Sequence, residues 1–177
     1  MKTLFALIPL LAAGAALAQT PGVSPTEITL GTIQDLSGPV AAYGKEARNG
    51  MQLRVDEINE QGGVHGRKLR LLVEDSGYDP KRAVLAAQRL LTQQGIFALV
   101  GSFGTSTSVA VMPLLFERNV ISFLPMSSAR EMYEPFHRLK FSGSSTYYDQ
   151  VRVSLPKLVR DKGGKKVCTI VQDDDYG

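Results

Sequence analysis

A run of four hydroxyl side chains is the feature of this sequence best suited to binding chemistry. Thr105, Ser106, Thr107 and Ser108 follow the stretch GSFG and precede a segment with helical spacing. If a helix begins there, its free backbone N–H groups and its positive end would bind a carboxylate or another anion. The alternative is ordinary capping of the helix, which needs only one hydroxyl. Four hydroxyls in a row favour a ligand site.

Other candidate binding residues also follow apolar segments. Residues 125–128 (PMSS) offer hydroxyls and free backbone groups, or they form an ordinary loop before a short helix. Tyr43, in a turn-rich first loop, could close over an apolar ligand and donate its hydroxyl, or it could pack on its own loop. Three adjacent acids at 173–175 cannot converge on one metal ion, so we expect a turn with one acid or Tyr176 facing a ligand.

Signals of catalysis are missing from the sequence. His65 and His137 are far apart in the chain and no partnered nucleophile is visible, so we expect solvated histidines rather than catalysts. There is no G-x-G-x-x-G after the first predicted strand, no G-x-x-x-x-G-K-[ST], no G-x-S-x-G and no H-E-x-x-H. We therefore expect no catalytic residue, no metal and no cofactor, and binding is the simpler hypothesis.

The elements that would position these residues alternate between strands and helices. Strands are predicted at residues 27–33, 68–74, 96–100, 120–124, 138–142 and 165–172. Helices are predicted at 45–61, at 80–94, from the hydroxyl run to about Arg118, and at 147–162, where Pro156 requires a kink or a break. Such alternation predicts parallel βαβ units and a three-layer α/β sandwich. Ligands of these sheets bind beyond the carboxyl ends of the strands, where the candidates lie.

Composition and charge exclude several classes of protein. The chain has 177 residues, of which 44% are hydrophobic and 21% charged, so it is too apolar for a disordered protein. Its single cysteine, Cys168, cannot form an internal disulfide, and the apolar residues around it predict a buried small hydrophobe. The net charge of +3 is dispersed without a basic stripe. We therefore expect no nucleic acid as a partner.

The N-terminus is predicted to be a secretory signal peptide. Lys2 precedes an apolar run at residues 4–17, and Ala16-Leu17-Ala18 matches a cleavage signal. A membrane helix is the competing interpretation, but the run is shorter than a membrane span. We expect cleavage after Ala18 and a soluble periplasmic protein. Because the last predicted strand has no helix after it, we expect the chain to be the N-terminal part of a longer protein.

Five motifs in order carry a resemblance to a known family. They are DLSGPVAAYG, INEQGGVHGRKLRLLVEDSGYDPKRAV, ALVGSFGTSTS, PMSSA and VQDDDYG. Together they resemble the type I periplasmic binding proteins, and more narrowly the leucine/isoleucine/valine-binding receptors of ABC transporters. The resemblance covers the mature chain and implies two α/β lobes joined by three crossovers. Residues 19–142 would be the first segment of lobe one, and residues 143–177 would begin an incomplete lobe two.

The resemblance also implies how the polar ends of a ligand are bound. The α-carboxylate of the ligand would lie at Thr105 and Ser106, with backbone groups of Phe103 nearby. The α-amino group would be held by the carbonyl of Met126 and the hydroxyl of Ser128.

The resemblance also implies roles for three tyrosines and a function for the protein. Tyr43 would cover the ligand from lobe one, and Tyr147 and Tyr176 would approach it from lobe two. The protein would be a monomeric periplasmic receptor that captures branched-chain or similar amino acids, or related carboxylates or amides. It would deliver them to the membrane permease of an ABC importer. The alternative is a ligand-sensing module of a regulator or signalling receptor with the same fold, and the signal peptide favours the transport receptor.

Overall fold

The computed structural model of the protein describes residues 20–177. The signal peptide predicted at residues 1–18 and its cleavage site therefore lie outside the described residues. Among residues 20–177, no helix combines the length and the apolar character needed to cross a membrane.

Five parallel strands form one sheet with the order β2-β1-β3-β4-β5. The strands are β1 (Glu27–Gln34), β2 (Lys68–Asp75), β3 (Ala98–Val100), β4 (Ile121–Phe123) and β5 (Lys140–Phe141). The helices are α1 (Ala41–Glu60), α2 (Pro80–Arg89), α3 (Thr105–Glu117) and α4 (Tyr147–Lys162), with a π-helical segment at Leu90–Gln94 and a 3-10 turn at Arg130–Met132. The predicted α/β fold with a parallel sheet is confirmed.

Helices cover both faces of the sheet and bury its centre. Ile33 of β1 and Leu99 of β3 are buried in the main core, where fully buried alanines of α2 and apolar residues of α3 pack against them. Leu30 is three residues from Ile33, so it faces the opposite side of the sheet, towards α1 and its buried Val55. This gives three layers, with α1 on one face and α2 and α3 on the other.

Part of the α1 face of the sheet is bare. Helix α1 packs on β1 and β2, and beyond it Phe123 is 44% exposed and Phe141 is 46% exposed. These two rings line an apolar depression of about 330 Å³ together with Leu30 and Val100. The face of β4 that carries Phe123 is therefore not buried.

The predicted strand at residues 165–172 is absent, and no regular structure forms there. An extended segment persists as a strand where a neighbouring strand takes its hydrogen bonds, and none of the described residues pairs with this one. Its apolar side chains are exposed, Ile170 completely so. Cys168 is exposed as well, so the prediction that it is a buried hydrophobe is wrong.

Helix α4 continues through Pro156 without interruption, so the break that the sequence allowed does not occur. Both ends of the helix are capped. The Thr146 hydroxyl accepts a hydrogen bond from the N–H of Asp149 (3.0 Å), and Gly163 adopts a left-handed conformation just beyond the last residue. Proline removes only one backbone hydrogen bond, and the capped helix retains the others.

Helix α1 begins earlier than predicted, at Ala41 instead of residue 45. The fully buried carboxylate of Asp35 accepts a hydrogen bond from the N–H of Val40 (2.9 Å) and closes the turn before the helix. Gly44 then lies so close to β1 that an added Cβ would overlap the carbonyl oxygen of Asp35. Tyr43 consequently lies in the first turn of α1, and its predicted placement in a loop is wrong.

Two glycines of α1 provide a matched test of this close approach. Gly50 has open space where a Cβ would stand, so Gly50→Ala should raise the free energy of unfolding by about 0.5–1 kcal/mol. Gly44→Ala should lower it by about 1–3 kcal/mol, because the methyl group forces α1 away from β1. Urea unfolding of the two variants measures both changes. Equal stabilisation by both alanines would contradict the packing described here.

Candidate functional site

A cavity of about 280 Å³ lies beyond the carboxyl ends of the strands. Strand β1 has β2 on one side and β3 on the other, so the strand order reverses there, and crevices for ligands form at such reversals. The loops after β1, β2, β3 and β4 all reach this cavity. Its lining residues are Val40, Tyr43, Tyr78, Phe103, Gly104, Thr105, Met126, Tyr147, Gln172 and Tyr176.

Most of the residues predicted for the site meet at this cavity. Six of the eight line it, namely Tyr43, Phe103, Thr105, Met126, Tyr147 and Tyr176. The other two do not line it and are engaged by polar neighbours. The Ser106 hydroxyl donates to Asp174 (2.8 Å), and the Ser128 hydroxyl shares a hydrogen bond with the Ser144 hydroxyl (2.8 Å).

The N-terminus of α3 has no side-chain cap, although four hydroxyl residues stand there. All four are buried. The Thr107 hydroxyl donates back to the carbonyl of Gly104 (3.1 Å), and the Ser108 hydroxyl has no partner among the described residues. The first N–H groups of a helix have no acceptor within the helix. Ordinary capping therefore does not explain these hydroxyls, and the helix end retains its capacity to bind an anion.

Thr105 has a hydroxyl that is oriented by a neighbouring loop. The residue is 1% exposed, and its Oγ1 lies 2.8 Å from the hydroxyl of Ser127. Ser127 also accepts a hydrogen bond from the N–H of Ala129 (3.2 Å). Because a hydroxyl can accept one hydrogen bond and donate another, Thr105 can accept from Ser127 and keep its own proton for a ligand.

Phe103 contributes its ring to the cavity, while its backbone groups are used inside the protein. Its N–H donates to the carbonyl of Ile33 (2.9 Å), which joins the ends of β3 and β1. Its carbonyl accepts the hydroxyl of Thr107. A bridge between Phe103 and Met126 continues the parallel pairing beyond β3 and β4. A role for Phe103 backbone groups in ligand binding remains a prediction.

Two tyrosines close the cavity from the C-terminal part of the chain. The rings of Tyr147 and Tyr176 pack edge to face, with centroids 5.4 Å apart and planes at 89°. The N–H of Tyr147 donates to the carbonyl of Ser128 (2.9 Å), which fixes the start of α4 beside the loop after β4. Tyr43, on α1, also lines the cavity and is 65% exposed.

The acidic turn brings one carboxylate to the start of α3. Asp174 accepts hydrogen bonds from Ser106 (2.8 Å), from the Gln172 side chain (2.5 Å) and from the N–H of Tyr176 (2.8 Å). Burial alone would raise the pKa of Asp174, but these hydrogen bonds bring it below the usual value. Across residues 20–177, no group of three or more His, Cys, Asp or Glu side chains is arranged to hold a metal ion.

The two histidines lie away from the cavity. His65 is exposed in the turn before β2, as predicted. The ring of His137 stacks on Phe116 with centroids 3.9 Å apart, and its Nδ1 accepts a hydrogen bond from the N–H of Leu139 (3.3 Å). The prediction of a solvated histidine is therefore wrong for His137, which is half-buried.

The carboxylate of Asp75 connects the loops that follow β1 and β2. It accepts hydrogen bonds from the N–H groups of Leu36 and Gly77 (both 2.8 Å) and from the Ser37 hydroxyl (2.5 Å). Arg82 forms an ion pair with it at 2.8 Å. Burial alone would raise the pKa of Asp75, but these hydrogen bonds and the arginine charge lower it from 3.8 to about 2. The network holds the loop after β1 against the loop that carries Tyr78.

Tyr78 and Gln172 are lining residues that were not predicted from the sequence. Tyr78 lies in the loop DSGYD directly after β2, and its position at a strand end was the available signal. Gln172 was assigned to the end of a strand that does not form.

A parallel sheet with a cavity at the reversal of its strand order, beside an uncapped helix N-terminus, is the arrangement in which proteins of the α/β class bind ligands. Residues 27–177 match the family described as periplasmic binding protein, and the chain belongs to that family.

Individual proteins similar to this chain indicate a narrower group within the family. The Leu/Ile/Val-binding protein BraC3 of Rhizobium johnstonii is 37% identical over 165 residues, which are 92% of this chain and 44% of that protein. A fatty acid ABC transporter substrate-binding protein from Thermomonospora curvata has a solved structure that matches with a TM-score of 0.69 and 27% identity, over 82% of this chain and 36% of that one.

A third similar protein was solved with a ligand. LivJ, a branched-chain amino acid transporter substrate-binding protein from Streptococcus pneumoniae, in complex with isoleucine, matches with a TM-score of 0.57 and 27% identity, over 60% of this chain and 31% of that one. The present chain thus spans less than half the length of these proteins. The predicted resemblance to the leucine/isoleucine/valine-binding receptors is confirmed.

The Asp75 network predicts a specific dependence of stability on pH. Its pKa is lower in the folded protein than in the unfolded chain, so its contribution to stability is present above about pH 4 and is lost as the pH falls towards about 2. Asp75→Asn should lower the melting temperature at neutral pH. As the pH falls into the acid range, the melting temperature of this variant should then decrease less than that of the wild type. The effect should be moderate, because solvent screens the partly exposed carboxylate.

Asp56→Asn, a change at an exposed acid of α1, is the control for the Asp75 variant. Melting curves recorded from neutral pH into acid by circular dichroism provide the comparison. If wild type and the Asp75 variant lose melting temperature in parallel, the carboxylate does not hold the two loops.

Proposed function

We propose that this chain forms part of an extracytoplasmic solute receptor that captures an amino acid, branched-chain or similar, or a related small carboxylate or amide. The observation that carries this proposal is the uncapped N-terminus of α3, which meets an aromatic cavity at Gly104 and Thr105. A helix end without a cap presents N–H donors to an anion, and the rings beside it suit an apolar group. An amino acid with an aliphatic side chain has both parts.

The carboxylate of the ligand is proposed to bind at Thr105 and Ser106. Thr105 lines the cavity with a hydroxyl that can donate, and the first N–H groups of α3 lie next to it. Ser106 donates to Asp174, so a bound carboxylate would take over this donor as Asp174 moves away. Each charge-assisted hydrogen bond to a buried carboxylate contributes about 1.5–3 kcal/mol.

The remaining parts of the ligand are proposed to meet the loop after β4 and the three tyrosines. An α-ammonium group would donate to the carbonyl of Met126 and to the hydroxyl of Ser128. Tyr43 would cover the ligand from one side, and Tyr147 and Tyr176 from the other, because their rings already face this cavity. The names of the similar proteins mention leucine, isoleucine, valine and fatty acid, and all of these ligands have a carboxylate.

We also propose that the receptor acts in the periplasm as a monomer, without catalysis, and passes its ligand to the permease of an ABC importer. The support is that the similar proteins are binding proteins, two of them described as transporter substrate-binding proteins. Lobe one is proposed to span residues 19–142, with residues 143–177 in a second lobe. In favour of this boundary, β5 ends at Phe141 and no later described residue joins the sheet.

Isothermal titration calorimetry of the complete polypeptide tests the ligand class. Leucine, isoleucine and valine should bind, whereas 4-methylpentanoate and leucinamide separate the contributions of the two polar groups. 4-Methylpentanoate lacks the α-ammonium group of leucine, and leucinamide has an uncharged amide in place of the carboxylate. Loss of a charge-assisted hydrogen bond should weaken binding of each compound by about 10- to 150-fold. Leucinamide binding as tightly as leucine would contradict a carboxylate site at α3. Absence of binding by all five compounds would contradict a branched-chain amino acid as the ligand.

Two threonines of the same helical turn test the anion site. Thr105→Val and Thr107→Val each remove one buried hydroxyl while keeping the branched shape, so each should lower the free energy of unfolding by about 1 kcal/mol. Thr107 does not line the cavity. Only Thr105→Val should weaken leucine binding, by about 10- to 150-fold. Calorimetry and urea unfolding on both variants provide the test, and equal affinities would remove Thr105 from the site.

A further inference from the structure

Tyr78 has a backbone conformation that is unfavourable for a tyrosine. Its φ is +61°, in the left-handed region, where the Cβ of an L-residue crowds its own backbone. Such conformations persist where the surrounding structure fixes them, and they are concentrated at ligand-binding sites.

The loop after β2 fixes Tyr78 through several hydrogen bonds. Ser76 is fully buried, and its hydroxyl donates to the carbonyl of Gln34 (3.1 Å) while it accepts the N–H of Tyr78 (3.2 Å). The N–H of Asp79 donates to the carbonyl of Ser76 (3.1 Å), and the N–H of Gly77 donates to Asp75. The tyrosine is therefore held by residues on both sides of it in the chain.

This conformation places the ring directly beside the proposed anion site. The ring of Tyr78 packs against Phe103, with centroids 6.2 Å apart and planes at 55°. It also covers Gly104, where an added Cβ would stand 2.9 Å from the ring. Gly104 is the residue before α3, so a ligand anchored at the start of α3 would lie next to this ring.

The hydroxyl of Tyr78 stays protonated in this surrounding. Burial raises its pKa above the ordinary value, and the polar side chain of Gln172 offsets part of the rise. Asp174, Tyr176 and Tyr147 raise the pKa further. The neutral ring therefore presents an apolar face to the cavity.

We propose that Tyr78 determines which ligand side chains the cavity accepts, because its ring forms a fixed wall next to the anion site. The inference rests on the proposed function, since it concerns the ligand of the same cavity. A side chain of branched aliphatic size packs against the ring, whereas an aromatic side chain needs the space that the ring occupies. Tyr78 therefore favours leucine over phenylalanine.

Variants at two left-handed positions separate the effect of the Tyr78 ring on ligand selectivity from the effect of relieving the backbone conformation. Tyr78→Gly relieves the left-handed conformation and removes the ring, and Tyr78→Phe keeps the ring without its hydroxyl. His65, exposed in a turn far from the cavity, also has a left-handed backbone (φ +50°), so His65→Gly gives the same backbone relief without a change in the cavity. Dissociation constants for leucine and phenylalanine are measured by calorimetry on the complete polypeptide, with circular dichroism melts to establish folding.

Tyr78→Gly should change the ratio of the two dissociation constants by about tenfold or more in favour of phenylalanine. Differences in how a side chain fits an apolar pocket have effects of this size. Tyr78→Phe and His65→Gly should leave the ratio within about threefold of wild type. If Tyr78→Gly does not fold, Tyr78→Asn replaces it, because asparagine also tolerates the left-handed region and lacks the ring.

Three results would overturn the inference, and they are distinguishable. If wild type binds leucine and the ringless variant keeps the wild-type ratio, Tyr78 does not determine selectivity, while the proposed function stands. A tenfold shift in Tyr78→Phe as well would assign selectivity to the hydroxyl rather than to the ring. If wild type binds neither amino acid, the inference fails together with the proposed amino acid ligand.

Discussion

The cavity depends on one carboxylate that joins two loops of the sheet. Neighbouring parallel strands are hydrogen-bonded along their length, but the loops that follow them lose this connection. Asp75 restores it at the ends of β1 and β2, because it accepts hydrogen bonds from Leu36 and Ser37 on one loop and from Gly77 on the other. The loop after β1 leads to Tyr43, and the loop after β2 carries Tyr78. Two of the rings around the cavity therefore rely on the same anchor.

The start of α3 shows how a binding site differs from an ordinary helix end. A helix that only needs to be stable uses a hydroxyl or carboxylate to cap its first N–H groups. Here the Thr107 hydroxyl donates to the preceding carbonyls of Phe103 and Gly104. The Thr105 hydroxyl shares a hydrogen bond with Ser127 in the loop after β4. The helix thus forgoes the stabilisation of a cap, and its donors stay available to an anion. This arrangement is stable because α3 is anchored elsewhere, by its buried Val111 and Leu115 in the main core.

Local patterns in the sequence were enough to predict most of the sheet. Apolar runs and flanking turns mark such strands by themselves. Strands β1 and β2 accordingly differ from their predicted ranges by only one residue each. The predicted strand at 165–172 has an equally apolar sequence and does not form. Its failure has a physical cause, since a strand needs a neighbouring strand to take its hydrogen bonds, and none of the described residues pairs with this segment. The exposure of Cys168 follows from the same missing partner.

The candidate site was predictable where one local signal sufficed. Thr105 stands out as the first of four hydroxyls at a helix start, and it does line the cavity. Tyr78 has no such signal, because its place depends on a left-handed backbone that Ser76 and Asp75 impose and on the absence of a side chain at Gly104. These conditions come from two separate loops and are met only after the sheet has formed. Residues that bind the shared polar part of a ligand can thus be visible in sequence, whereas residues that shape the cavity around its variable part emerge from tertiary structure.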